Sequence, residues 1–63
     1  MKKEKFEYLL EGLKKHKFDR AFSVSYILGF MEEDNDSISH RQLEKCMAIA
    51  WENEKEKMLG KSL

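Results

Sequence analysis

Cys46, His16 and His40 are the side chains of this sequence with the widest chemistry, because a thiol and an imidazole together can make a nucleophile with its base, or a soft-metal site. Their spacing suits neither role. His40 stands six residues before Cys46, which puts the two on poorly matched faces of one helix, and neither histidine has a cysteine or a second histidine at ligand spacing. Cys46 also lies inside the apolar run "CMAIAW", where a thiol normally serves as a small buried hydrophobe. A chain of 63 residues has little room for a concave pocket. The expectation is a protein with no catalytic residue, no cofactor and no metal.

The acidic run "EEDND", Glu32 to Asp36, offers four carboxylates and an amide, the hard oxygen ligands that Ca²⁺ prefers. With the residues that follow, "NDSISHRQL", it resembles the second half of an EF-hand loop, Ile38 taking the hydrophobic slot. The resemblance implies calcium ligation, yet it departs at the positions that do the ligating. Met31 falls at the first ligand, Asp36 at the loop glycine and Gln42 at the closing glutamate. The residues themselves favour a solvated loop between helices, with Asp34 and Asp36 near the positive N-terminus of the helix that follows.

A basic cluster, "KKHKFDR", makes Lys14, Lys15, Lys17 and Arg20 a candidate contact patch for nucleic acid or an acidic protein surface. Global charge does not help it, since twelve Lys and Arg balance twelve Asp and Glu. The charge is segregated, however. Residues 1–20 hold seven basic against four acidic side chains, and residues 21–44 hold one against five. A helix-turn-helix would use its second helix as the reader, and Ala21–Met31 offers almost nothing to a base edge. His40, Arg41, Gln42 and Lys45 are better suited, but the carboxylates just before them repel phosphate. Nucleic acid is therefore a disfavoured partner.

Three segments must position these groups. Phe6, Leu9, Leu10 and Leu13 fall at i, i+3, i+4 and i+7, which predicts an amphipathic helix over about 3–16 with Lys14, Lys15 and Lys17 at its negative end. Gly12 inside it either admits a close helix contact or marks fraying. Ser39 with Gln42 is a capping box, and Ile38 with Leu43 a hydrophobic staple, so a further helix is predicted over about 39–59. Leu43, Cys46, Met47 and Ala50 form its stripe, Ile49 and Trp51 widen it, Gly60 is placed to end it, and the late run "ENEKEK" has little to bury.

Between them lies "AFSVSYILGFM", Ala21 to Met31, eleven residues without a charge in a chain where charged residues make up 38%. Strict alternation fits a strand, while Val24, Ile27, Leu28 and Met31 fit a helix and Phe18, Phe22, Tyr26 and Phe30 make a second helical stripe at steps of four. No other segment could pair with a strand, and Asp19 is a fitting N-cap, which favours a helix over about 19–32. An intermolecular β-ribbon is the alternative.

The expected fold is an all-α, three-helix bundle, one domain over residues 1–63. A domain of this size is marginal alone, and a single cysteine excludes an internal disulfide. The middle helix is apolar nearly all round and the last helix outruns it, so the expected partners are a second copy, as a homodimer, and another protein. Tyr8, Phe22, Tyr26, Phe30, Trp51 and Met58 are the interface candidates. The charged N-terminus is not a signal peptide and no apolar run reaches the ~18 residues of a membrane span, so no membrane is expected and a cytoplasmic setting is. Together these predict a non-catalytic protein–protein interaction or regulatory module that self-associates. The alternative is a small DNA-binding transcriptional regulator using the basic residues of the first and third helices.

Overall fold

A computed structural model describes residues 1–61, with side chains through Leu59. Three helices, α1 (Lys3–His16), α2 (Arg20–Glu33) and α3 (His40–Lys61), form a small bundle 42 Å long and 17–18 Å across, with no strand among the described residues. The β-ribbon alternative is thereby set aside. Residues 21–31 satisfy their backbone groups within their own segment, as a helix must when no strand stands beside it.

Two of the helix starts are chemically specified. Asp19 accepts a hydrogen bond from the Phe22 amide at 3.0 Å, the N-cap of α2. Ser39 and Gln42 exchange bonds of 3.1 Å each way, Ser39 Oγ accepting from the Gln42 amide and Gln42 Oε1 from the Ser39 amide. The Gln42 side chain is used twice, because Nε2 also donates to the Met1 carbonyl at 2.9 Å and ties the start of the chain to the start of α3. At the far end α3 runs through Gly60 to Lys61 rather than stopping at residue 59. A glycine permits a left-handed stop without enforcing one.

The helices alternate in direction. Met1 meets Gln42 at one end of the bundle and Leu13 meets Asn53 at the other, so α1 and α3 run parallel; Arg20 at the start of α2 pairs with Glu54 late in α3, so α2 runs against both. Phe6, Leu9, Leu13, Ile27 and Cys46 make the core, and Ala50 is also fully buried. Against expectation, the core reaches into the polar end of α3. Asn53 is buried and its Nδ2 donates at 3.0 Å to the carbonyls of both Leu13 and Phe18, capping the end of α1, where Lys17 turns the chain in the left-handed region at φ 52°. Ser23, also fully buried, adds a 3.4 Å bond from Oγ to the same Phe18 carbonyl.

The rings of the steps-of-four stripe do stack, with Phe18, Tyr26 and Phe30 packed against the core and Phe22 left exposed. Phe18, Tyr26 and Phe30 follow one another with ring centroids 5.2 and 5.0 Å apart, and Phe22 stacks on Phe18. Gly12 is the reason this stack fits. A methyl group there would come within 2.8 Å of Tyr26 Cζ, so the helix lacks a side chain where the tyrosine ring crosses it. In the Tyr26→Ala background, Gly12→Ala should stabilise by about 1 kcal/mol, the helix-propensity gain. With Tyr26 present, the same substitution should bring no gain or a loss, because overpacking costs about 1–3 kcal/mol. Urea unfolding of the four proteins checks this double-mutant cycle; equal effects in both backgrounds would contradict it.

Candidate functional site

The groups with catalytic potential are dispersed. Cys46 is fully buried, and burial pushes its thiol up to about 11, away from the thiolate a nucleophile needs. His16 stacks on Phe18 at one end of the bundle, and His40 is paired with Glu44 at 2.7 Å at the other. Among the described residues no three His, Cys, Asp or Glu side chains come together as a metal site.

The acidic loop is tied to α1. Lys5 Nζ lies 2.9 Å from Asp34 and 3.4 Å from Asp36, and its pKa is raised chiefly by the bond to Asp34. The Ser37 amide donates to Asp36 at 2.7 Å, which with Lys5 holds that carboxyl below its ordinary value. The Met1 nitrogen donates to the Ser37 carbonyl at 2.8 Å. Asp34 and Asp36 are therefore engaged by the chain's own donors, while Glu32 and Glu33 stand exposed.

The basic patch is divided in the same way. Arg20 grips the Glu54 carboxylate in a fork, Nη2 at 2.7 Å and Nε at 3.1 Å from Oε2, raising its own pKa and lowering that of Glu54. Lys17 lies 3.7 Å from Glu56. Lys14 and Lys15 face an open cleft of about 550 Å³ beside Tyr8, Gly12, His16 and Tyr26, with Glu11 also on its wall. Arg20 and Lys17 are thus each paired with a carboxylate of α3, while Lys14 and Lys15 stand exposed at the cleft.

The interface candidates separate into three groups. Tyr26 and Phe30 are half-buried in the aromatic stack against α1. Trp51 lies under the Arg20 guanidinium, 4.5 Å from the ring centroid, with the Lys55 ammonium at 5.7 Å. Tyr8, Phe22 and Met58 are exposed. None of the six lines a second, wholly apolar concavity. This is a groove of about 360 Å³ between α2 and α3, walled by Val24, Leu28, Leu43 and Met47 with Ile27 also lining it.

Val24 and Leu28 keep 46% and 48% of their surface exposed, and Leu43 36%. Each wall is an i, i+4 pair, so the two helices present two parallel aliphatic ridges with no polar side chain between them. The groove was hidden in the sequence because Leu43 and Met47 look like core positions of α3, and Val24 and Leu28 like core positions of α2. Comparison with protein-family models, with curated proteins and with solved structures finds no match to this chain.

Proposed function

We propose that the chain is a non-catalytic interaction and regulatory module that acts by self-association, presenting the α2–α3 face to a second copy. The observation that carries this is the exposed aliphatic groove of Val24, Leu28, Leu43 and Met47 in a chain otherwise dense in charge. A bundle this small gains much of its missing burial by pairing, and an isologous two-fold contact lets each copy cover the other's groove. Against the DNA-reader alternative stand the pairing of Arg20 with Glu54 and of Lys17 with Glu56, which takes two cations of the basic cluster, and a balance of twelve Lys and Arg against twelve Asp and Glu over the chain. A cytoplasmic setting belongs to the same proposal, supported by a lone cysteine held as a buried thiol.

Light scattering on a sizing column should give twice the 7.5 kDa chain mass at micromolar concentration. The melting temperature should rise with protein concentration, as mass action requires of a dimer. A monomer at every concentration up to millimolar would overturn self-association.

A further inference from the structure

We propose that the cleft over Gly12 holds an acidic segment of a partner protein, with one apolar side chain on the tyrosine rings and the segment's carboxylates at Lys14 and Lys15. The cleft follows from the sequence of α1. Gly12 carries no side chain, and the Tyr26 ring lies where a Cβ would point. Tyr8 on the turn before and Lys15 and His16 on the turn after then stand up as the two ends of a depression of about 550 Å³. Tyr26 is two residues from both Val24 and Leu28, about 200° round α2, so this cleft and the aliphatic groove share no wall. The surface is additional to the one assigned to a second copy.

Its rim is made mostly of donors. The hydroxyls of Tyr8 and Tyr26 make no hydrogen bond within the chain among the described residues, and neither is sealed from solvent. Lys14 and Lys15 are exposed and hold no ion pair among the described residues, whereas Lys17 and Arg20 of the same cluster are each held by a carboxylate of α3. One carboxylate, Glu11, stands on the wall against two ammonium groups. Such a rim is complementary to negative acceptors. The open shape then selects a chain segment over a small molecule, which binds where most of its surface is buried. Glu4, exposed one turn ahead of Tyr8, sets the polarity by repelling carboxylates from that end. The segment's acidic residues therefore lie at Lys14 and Lys15, and its apolar side chain at Tyr8 and Tyr26.

An NMR titration with a synthetic peptide of one phenylalanine followed by glutamates tests this. At low salt the amide signals of Tyr8, Gly12, Lys15 and Tyr26 should move together and saturate, while those of Leu43 and Met47 stay in place. Tyr8→Ala should raise the dissociation constant about tenfold. Lys14→Gln with Lys15→Gln should raise it at least about tenfold and remove most of its salt dependence. Both variants change exposed side chains only, so melting temperature and self-association should remain those of the native chain. Shifts that persist unchanged in the Lys14→Gln, Lys15→Gln protein would overturn the proposal. So would a single-stranded oligonucleotide that binds the same residues more tightly than the peptide, or no saturable shift up to millimolar peptide.

Discussion

Replacing Asn53 with Leu lowers the free energy of unfolding by about 2–3 kcal/mol, because the buried Leu13 carbonyl loses its side-chain donor and the part-buried Phe18 carbonyl is left with the longer bond from Ser23. The donor is Nδ2, 3.0 Å from both the Leu13 and Phe18 carbonyl oxygens, where α3 passes the turn between α1 and α2. Asn53→Asp is worse at neutral pH. It sets a carboxylate oxygen against two carbonyl oxygens in a buried position, a loss of about 3–5 kcal/mol. A core of this size rarely supplies more than about 3–5 kcal/mol in total, so that variant should be largely unfolded at pH 7 in dilute solution. The introduced carboxyl donates only when protonated, and lowering the pH towards 4 should return part of the lost helix signal. Circular dichroism across urea and pH series checks both variants; a loss below about 1 kcal/mol for Asn53→Leu would deny the clamp its role.

Leu9→Ala should cost about 3 kcal/mol, the transfer of the lost methyl groups plus the cavity they leave. Leu9 is fully exposed to its neighbours and not at all to solvent, lying in the core with Phe6, Leu13, Ile27 and Cys46. The neighbouring half-buried Leu10 should lose less on the same substitution. Urea unfolding at one fixed protein concentration compares the two, since a change in dimer population would otherwise enter the midpoint. Equal losses at the two positions would mean that α1 is rotated about its axis relative to the arrangement described.

The caps and periods that define the three helices were legible in the residues. Asp19 and the Ser39–Gln42 box mark helix starts by local chemistry alone, and local chemistry is what a sequence displays. Phe18, Phe22, Tyr26 and Phe30 stood at steps of four, and the rings do stack. Asn53 was not legible, because in "ENEKEK" an amide among charges reads as surface. Its signal was register: Cys46, Ala50 and Asn53 continue one buried stripe at steps of four and three.

The groove is illegible in the sequence for a different reason. The residues of α2 carry two apolar stripes, and nothing in α2 itself says which one turns inward. Gly12 decides it from α1, by admitting Tyr26 and so drawing the aromatic stripe towards that helix, while Val24 and Leu28 are left partly exposed beside α3. Aromatic residues are the usual interface anchors, which is why they were the sequence-based candidates. Here Tyr26 and Phe30 are engaged within their own bundle, Tyr8 and Phe22 stay exposed as single side chains, and the apolar groove is aliphatic.

In the proposed dimer the aliphatic α2–α3 face meets a second copy of itself. An isotope-filtered NMR experiment on a mixture of methyl-labelled and unlabelled protein reads contacts between copies and discards those within one. At high micromolar concentration it should show intermolecular contacts among Val24, Leu28, Leu43 and Met47, with none from Leu9 or Leu13, which are buried in the core. No intermolecular contact at that concentration, or contacts confined to Tyr8 and the α1 cleft, would contradict the account.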